Sequence, residues 1–375
     1  MRIGLFAHRL AQAESTGIGR YTRELASALN AIAPERIAIV LASTPEPEQA
    51  AWIPDGVESR AVRWPRRVTQ AAWCLGVGPR LERTVGCLDV MHLTHAFPPA
   101  RTTAPQIVTV HDLFPLERPD WYPRSERWSY RRSIRLVLDR ASRVVVPSRY
   151  VADRLAVALD VPTGRIEVVP HGVNGAFAGA RSAREIEASC NRFGLEPERF
   201  VVSVGAVSAR KNVITLVRAV AQLRRASLPL VLIGADGHGA AEVEAEIARL
   251  DGASRVIRTG YLSDVEAGAL VQGAAVLAHP AIAEGFGMVP LEAMAAGTPV
   301  IAARVSSIPE VVGDAAVLVD EATDPAAWAA ALSDVMQSPE RRRELAAGGQ
   351  RQVRSFSWAR TAETMLGIYT DVARS

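Results

Sequence analysis

The sequence predicts an α/β chain of two doubly wound, parallel-sheet domains. Three observations carry that prediction. At 375 residues the chain exceeds what one typical core needs. Short uncharged apolar runs alternate with amphipathic stretches, first from Ile3 and again from Phe200. Several of those runs end in glycine-containing loops, and in open parallel sheets ligands bind where such loops leave the carboxyl ends of strands.

In the first half, residues 1–6, 36–41, 90–93, 106–110, 143–147 and 166–170 read as strands. Residues 16–21 read as a loop before a helix with Tyr21, Leu25, Leu29 and Ile32 on one face. The first domain is placed at residues 1–174. Residues 175–197 carry few strand signals and read as a linker with a short helix. The second domain, residues 198–355, places strands at 200–205, 230–234, 256–260, 274–278, 300–303 and 316–319. Residues 356–375 form a closing helix.

Composition excludes several classes. A hydrophobic content of 49% with 22% charged residues belongs to a globular enzyme rather than a disordered chain. No apolar run approaches the length of a membrane span and no leader precedes Ile3, so a cytoplasmic location is expected. Cys74, Cys87 and Cys190 lack ligand spacing and read as free core thiols. Without a D-x-D, an H-E-x-x-H or a Cys/His cluster, no metal site is expected.

Charge is uneven: residues 1–180 carry a net charge of about +6 and the remainder about −3, so the first half is suited to an acidic partner. Two basic stretches, 60–67 and 118–143, hold or adjoin Trp64, Trp73, Trp121, Tyr122, Trp128 and Tyr130. They read either as solvated helix faces with aromatics turned inward, or as a surface for peripheral contact with an anionic membrane or lipid headgroup. No nucleic acid is expected, because no recognition motif accompanies the charge. Among the 43 basic residues only Lys211 is a lysine.

That lysine stands in G-A-V-S-A-R-K-N, residues 205–212, ahead of an apolar helical pattern. A helix N-terminus disfavours cations unless an anion sits there too, and a compact ammonium suits a diphosphate. A second stretch, HPAIAEGFGMVPLEAMAAGTP at 279–299, follows an apolar strand. Pro290 sits at a first-turn position with Glu292 in the same turn, and Gly297 stops the helix. Amides of Gly285, Phe286, Gly287 and Met288 could meet a negative group while Glu284 and Glu292 accept from hydroxyls. Together they describe a site for a phosphorylated polyol; the competing reading is a glycine-rich turn with solvated glutamates. His111 ends the strand at 106–110 and is either a satisfied structural histidine or a site residue.

The pattern E-G-F-G-x-x-x-L-E-A-M-A-x-G-x-P resembles the E-x7-E signature of retaining nucleotide-sugar glycosyltransferases of family 4. That family has the GT-B fold, two Rossmann-like domains facing a central cleft. The resemblance implies that Glu284 holds donor-sugar hydroxyls, Glu292 holds ribose hydroxyls, and the loop from Gly285 through Val289 lines the donor site. It implies that Arg210 and Lys211, in an R-K-N motif after Gly205, neutralise the diphosphate. Ala206 departs from the arginine that many members place directly after the glycine. Gly17 would line the site beside the diphosphate, and Tyr261 and Leu262 would lie beside the base. T-V-H-D-L resembles the family segment in which a histidine, here His111, orients a sugar hydroxyl. His171 through Asn174 resembles a structural segment near the interdomain linker, with Asn174 in place of an acid, and the closing helix is implied to return to the first domain.

The resemblance also implies retention of configuration and no cofactor beyond the nucleotide-sugar co-substrate. G-I-G-R-Y, H-D-L-F-P and A-R-K-N are similar to bacterial mannosyltransferases of polysaccharide biosynthesis, which makes GDP-mannose the preferred donor. UDP-glucose, UDP-N-acetylglucosamine and GDP-rhamnose stand as alternatives, and the acceptor is a saccharide or a lipid-linked saccharide. Two competing functions are a nucleotide-sugar epimerase of the same fold and a non-catalytic donor-binding subunit.

Overall fold

A computed structural model describes residues 1–7, 17–41, 44, 53–179, 181–223, 228–250 and 256–375. They divide into two compact units, Met1–Gly172 with Ser357–Ser375, and Val173–Phe356. In the first unit the strands are β1 (Ile3–Phe6), β2 (Ile37–Leu41), β3 (Glu58–Ala61), β4 (Val90–Leu93), β5 (Gln106–Thr109), β6 (Ala141–Val146) and β7 (Ile166–Val168). They pair in parallel in the order β3-β2-β1-β4-β5-β6-β7. The sheet reverses direction of growth between β1 and β4, as in a doubly wound fold.

Both faces of this sheet are covered, which is why its central strands are almost wholly apolar. Alternate residues feed two cores. Ile3, Leu5, Ile37, Ile39, Val90 and Ile107 pack on one side with Leu25 and Leu29 of the helix Gly17–Ile32 and Met365 of the helix Trp358–Arg374. Phe6, Val40, Met91, Leu93, Val108 and Val144 pack on the other with Trp73, Ile134 and Val137. β3 escapes the sequence reading: its residues, Glu-Ser-Arg-Ala, alternate between exposed and half-buried at the sheet edge, so no apolar run marks it.

One layer of the first core is polar. His92 Nδ1 lies 2.7 Å from the Tyr369 hydroxyl and its Nε2 lies 2.7 Å from Thr109 Oγ1, which in turn is 3.0 Å from the Tyr21 hydroxyl. All four side chains are buried, and their hydrogen bonds satisfy one another. The network ties the C-terminal helix to β4 and β5. The chain rejoins this unit at Ser357–Trp358, against Gly172, where a Cβ would fall 2.2 Å from the Trp358 backbone nitrogen. Gly172→Ala is therefore expected to destabilise the first unit by about 1–3 kcal/mol, the usual cost of overpacking. A urea midpoint equal to the parent's would show that the contact relaxes freely.

The second unit contains β8 (Val201–Val204), β9 (Leu230–Ile233), β10 (Val256–Gly260), β11 (Val276–His279), β12 (Val300–Ala303) and β13 (Val317–Val319). Their parallel order is β10-β9-β8-β11-β12-β13, again with a reversal, here between β8 and β11.

Several expectations change. Residues 175–197, expected as a linker with a short helix, hold two helices, Gly175–Ala178 and Ala183–Asn191, and belong to the body of the second unit. Phe177 and Cys190 are buried there, and a capping box at Ser182 and Glu185 starts the second helix. The expected loop at 16–21 is helical from Gly17, while Thr16 lies outside the described residues. Thr22 supports that first turn by donating to the Ile18 carbonyl at 2.9 Å. Ile32, expected on the apolar face, is 40% exposed at the last turn. Cys74 and Cys190 are buried free thiols, but Cys87 is exposed rather than in a core.

The aromatic residues of the basic stretches divide between buried and exposed. Trp73 is fully buried, donating to the Pro79 carbonyl at 2.8 Å, and Tyr130 is buried with its hydroxyl on the Asp112 carbonyl at 2.6 Å. Trp64 and Trp128 are exposed. Among the described residues no helix is long and apolar enough to cross a membrane.

Candidate functional site

The reversal between β8 and β11 places two distant loops side by side. Residues 205–212 leave the carboxyl end of β8 and residues 280–287 leave that of β11. The two loops are stitched together. Ile282 donates its amide to the Arg210 carbonyl at 3.0 Å, and the Arg210 guanidinium donates to the Ala283 carbonyl at 2.8 Å. Asn212, with a left-handed backbone at φ 51°, donates to the Pro280 and Ala322 carbonyls at 3.1 and 2.9 Å. Ser307 holds the far side, its hydroxyl 2.9 Å from the Glu284 carbonyl and 2.8 Å from that of Phe286.

At the centre of this frame is Glu284. Its Oε1 lies 2.5 Å from Lys211 Nζ and 3.2 Å from His279 Nε2, and its Oε2 lies 3.3 Å from Arg210 Nη1. Burial alone would push the Glu284 carboxyl up; Lys211 first and Arg210 next reverse this and hold it well below the usual carboxylate range. For Lys211, burial pulls the ammonium down, and Glu284 is the main force in the opposite direction. His279 is held neutral by burial, although Glu284 favours its charged form. The Arg210, Lys211 and Glu284 group holds two cations beside one carboxylate, and Glu292 adds a second carboxylate that acts on Lys211 by charge. Such a group can receive an anion while offering a carboxylate to hydroxyls.

The other expected residues fall unevenly around this group. Gly205 lies against the lysine stem, where a Cβ would come within 3.1 Å of Lys211 Cε. Gly287 takes a left-handed backbone at φ 115° and starts the helix Met288–Ala295, and a side chain there would strike Ile308. The helix thus begins two residues before Pro290, and Glu292 sits beyond its first turn, correcting the expected position. Glu292 is 3% exposed and acts on Lys211 by charge. Gly285, Met288 and Val289 lie in the β11 loop and at the helix start, whereas the Phe286 ring is core, edge-on to Phe356 at 5.9 Å. Tyr261 and Leu262 follow β10, two strands from β8; Tyr261 is 48% exposed and Leu262 packs in the core.

Gly17 and His111 belong to the first unit. Gly17 is the first residue of its helix. His111 follows β5, with its Nε2 3.0 Å from the Thr94 carbonyl and its ring edge-on to Tyr21 at 4.8 Å. The carbonyl can only accept, so Nε2 carries a proton. His111 opens on a pocket of about 310 Å³ also lined by Arg66, Gln70, His95, Asp112 and Glu126. His171 is buried beside Trp358, its ring centroid 5.9 Å away, and burial holds it neutral. Asn174 caps the helix Gly175–Ala178 and donates to Asp264 at 2.9 Å.

Three contributors were given no role from sequence. Asn212 and His279 lie within the two motif stretches, at 205–212 and 279–299, and that position is their only signal. Ser307 had none, because its contact with the glycine loop arises only when the segment after β12 folds back.

Among the described residues, no group of three or more His, Cys, Asp or Glu side chains is arranged to hold a metal ion. Two family models match the chain: Glycosyltransferase Family 4 over residues 15–176 and Glycosyl transferases group 1 over residues 186–352. A D-inositol 3-phosphate glycosyltransferase of Salinispora tropica is 33% identical over 250 residues, 62% of this chain and 52% of that protein. The chain thus spans about half the length of curated relatives of this kind. The O-antigen chain mannosyltransferase B of Escherichia coli is 26% identical over 70% of this chain and 69% of its own. Among solved structures, Anabaena HepE, in complex with UDP and glucose, superposes with a TM-score of 0.78 at 18% identity, covering 99% of each chain.

Proposed function

We propose, for a chain that belongs to the glycosyltransferases of GT-B fold, that it moves a hexose from a nucleotide-sugar donor to a saccharide or lipid-linked acceptor with retention of configuration. The observation that carries this reading is the Glu284 carboxylate held between Lys211 and Arg210 at the switch point of the second sheet. In the transfer, the bond from the anomeric carbon to the β-phosphate oxygen breaks and its electron pair passes to that oxygen. Lys211 and Arg210 stabilise the charge that develops there. The acceptor oxygen bonds the same face of the anomeric carbon, and its proton passes to the departing phosphate. Glu284, drawn from its cations when the diphosphate takes them, accepts from donor-sugar hydroxyls.

GDP-mannose is the preferred donor. The E. coli mannosyltransferase supports it, with an alignment that spans about 70% of both chains. A UDP-sugar is the second reading, favoured by HepE, which is described with UDP and glucose. For the acceptor, the pocket beside His111 sets one guanidinium, Arg66, against the carboxyls of Asp112 and Glu126. That balance favours a neutral saccharide over a phosphorylated inositol. The two cations take the place of a divalent metal in this reading.

Thermal-shift measurement against GDP, UDP, ADP and TDP, with magnesium or with EDTA, tests it. GDP is expected to raise Tm by mass action regardless of EDTA, and Lys211→Ala to lose most of that rise. A rise with UDP alone would replace the donor; a rise that needs magnesium would overturn the metal-free mechanism. No response to any nucleotide would sink the proposal.

A further inference from the structure

We propose that the first unit carries a second anion site, for a phosphate group, in a pocket of about 180 Å³ lined by Arg80, Arg101 and Arg140 with Gly76, Thr102 and Gln106. It lies at the amino end of β5, where Gln106 is the first residue, whereas His111 follows the carboxyl end of the same strand. A ligand here is therefore neither the donor nor the acceptor of the transfer, and the inference is independent of that reading.

The three guanidiniums arrive on separate parts of the chain. Arg80 and Arg101 face each other in an isolated parallel bridge, and Arg101 is fixed by donating to the Gly78 carbonyl at 3.0 Å. Arg140 is the last residue of the helix Arg124–Arg140 and reaches Gly76. A cation at a helix C-terminus is favoured on its own, but that does not account for the convergence of the other two. Among the described residues none of the three forms an ion pair with a carboxylate. The nearby carboxylate, Glu82, is engaged through Oε1 by the Thr102 hydroxyl and by the amides of Thr103 and Ala104 at 2.6 and 3.1 Å, while its Oε2 is buried without a hydrogen-bond partner among the described residues.

A second, independent observation is Gln106. It is 6% exposed, lines the pocket, and its Oε1 has no hydrogen-bond partner among the described residues. Buried amides are ordinarily paired. Oxygen and nitrogen of the amide are interchangeable by a flip, so the same group offers N–H donors to a bound oxyanion. Three guanidiniums and an amide suit a phosphate, which accepts several charge-assisted bonds at once. Beside the pocket, Leu75 and Val77 flank Gly76 and are 68% and 54% exposed. The phosphate can thus come from a soluble metabolite or from a phospholipid headgroup whose bilayer receives the two aliphatic side chains.

The test uses the full chain in a Lys211→Ala background, so that the donor site cannot answer for this one. One arm measures the rise in Tm with inorganic phosphate and pyrophosphate. The other measures co-sedimentation with phosphatidylcholine vesicles with and without phosphatidic acid. Arg80→Gln/Arg140→Gln, at two exposed positions, is expected to weaken the response at least tenfold in one arm. Arg341→Gln/Arg343→Gln, an exposed pair in the other unit, should change it by less than twofold. Gln106→Leu should weaken binding without lowering the ligand-free Tm. A response in the soluble arm assigns a metabolite, and one confined to phosphatidic acid vesicles assigns a headgroup. No binding in either arm, or equal losses in the two arginine pairs, would overturn the site.

Discussion

Lys211→Ala is expected to lower kcat for sugar transfer by about 10²–10³-fold, the usual loss when one preorganised group facing transition-state charge is removed. The effect should fall on turnover more than on the KM for the donor, because the charge on the leaving diphosphate is greatest as the bond breaks. Glu284→Gln separates the two roles of the carboxylate. It removes a hydroxyl acceptor, and it also takes from Lys211 the main partner that opposes the effect of burial on its ammonium. Lys211 in that variant should deprotonate at a lower pH than in the parent. The descending alkaline limb of the rate profile is then expected to move to lower pH, with part of the lost activity recovered on acidification. Lys211→Ala within tenfold of the parent would remove the lysine from the mechanism. An unshifted alkaline limb in Glu284→Gln would show that the ion pair does not set the charge of the lysine.

The second large effect is acid lability of the first unit. Burial holds His92 down at about 3 from an ordinary value of 6.5, with the charge of His111 a smaller cause in the same direction. His171 is likewise held well below its ordinary value, mainly by burial. Below pH 6.5 the unfolded chain therefore takes up protons that the folded unit refuses. Stability is fully present above about pH 6.5 and declines as pH falls toward the folded values. At pH 5 His92 contributes a loss of about 2 kcal/mol relative to pH 7, and His171 adds a loss in the same direction. Tryptophan fluorescence in urea reads this unit well, since six of the seven tryptophans fall within its bounds. His92→Gln cannot take up the proton, so its dependence on pH near 5 should be shallower by about 1.4 kcal/mol per pH unit. Identical slopes in parent and variant would contradict the buried-histidine account.

Much of the framework was legible in the chain because parallel strands covered on both faces are continuous apolar runs. β1, β2, β9 and β12 carry that mark throughout, and β8 and β11 in all but one residue. β3 lacked it, since an edge strand with half-exposed side chains needs no apolar residues. The helices of residues 175–197 were missed as part of a domain because their signal lies in caps and a few buried residues rather than in a long stripe. The E-x7-E stretch and the single lysine were equally plain, since glycine, charge and helix-start signals are local. What a local pattern cannot give is which loops meet. Lys211 and Glu284 are 73 residues apart, and they touch because β8 and β11 are neighbours without being consecutive. His92 and Tyr369 are 277 residues apart and are joined because the last helix packs in the first unit. By itself the sequence determined the strands, the glycine loops and the residue types of the candidate site. The tertiary structure alone decided which carboxylate the lysine pairs with, which glycine-loop ring turns into the core and which histidines are held neutral. Pairing and desolvation depend on crossovers and packing between distant segments, and no local pattern encodes those.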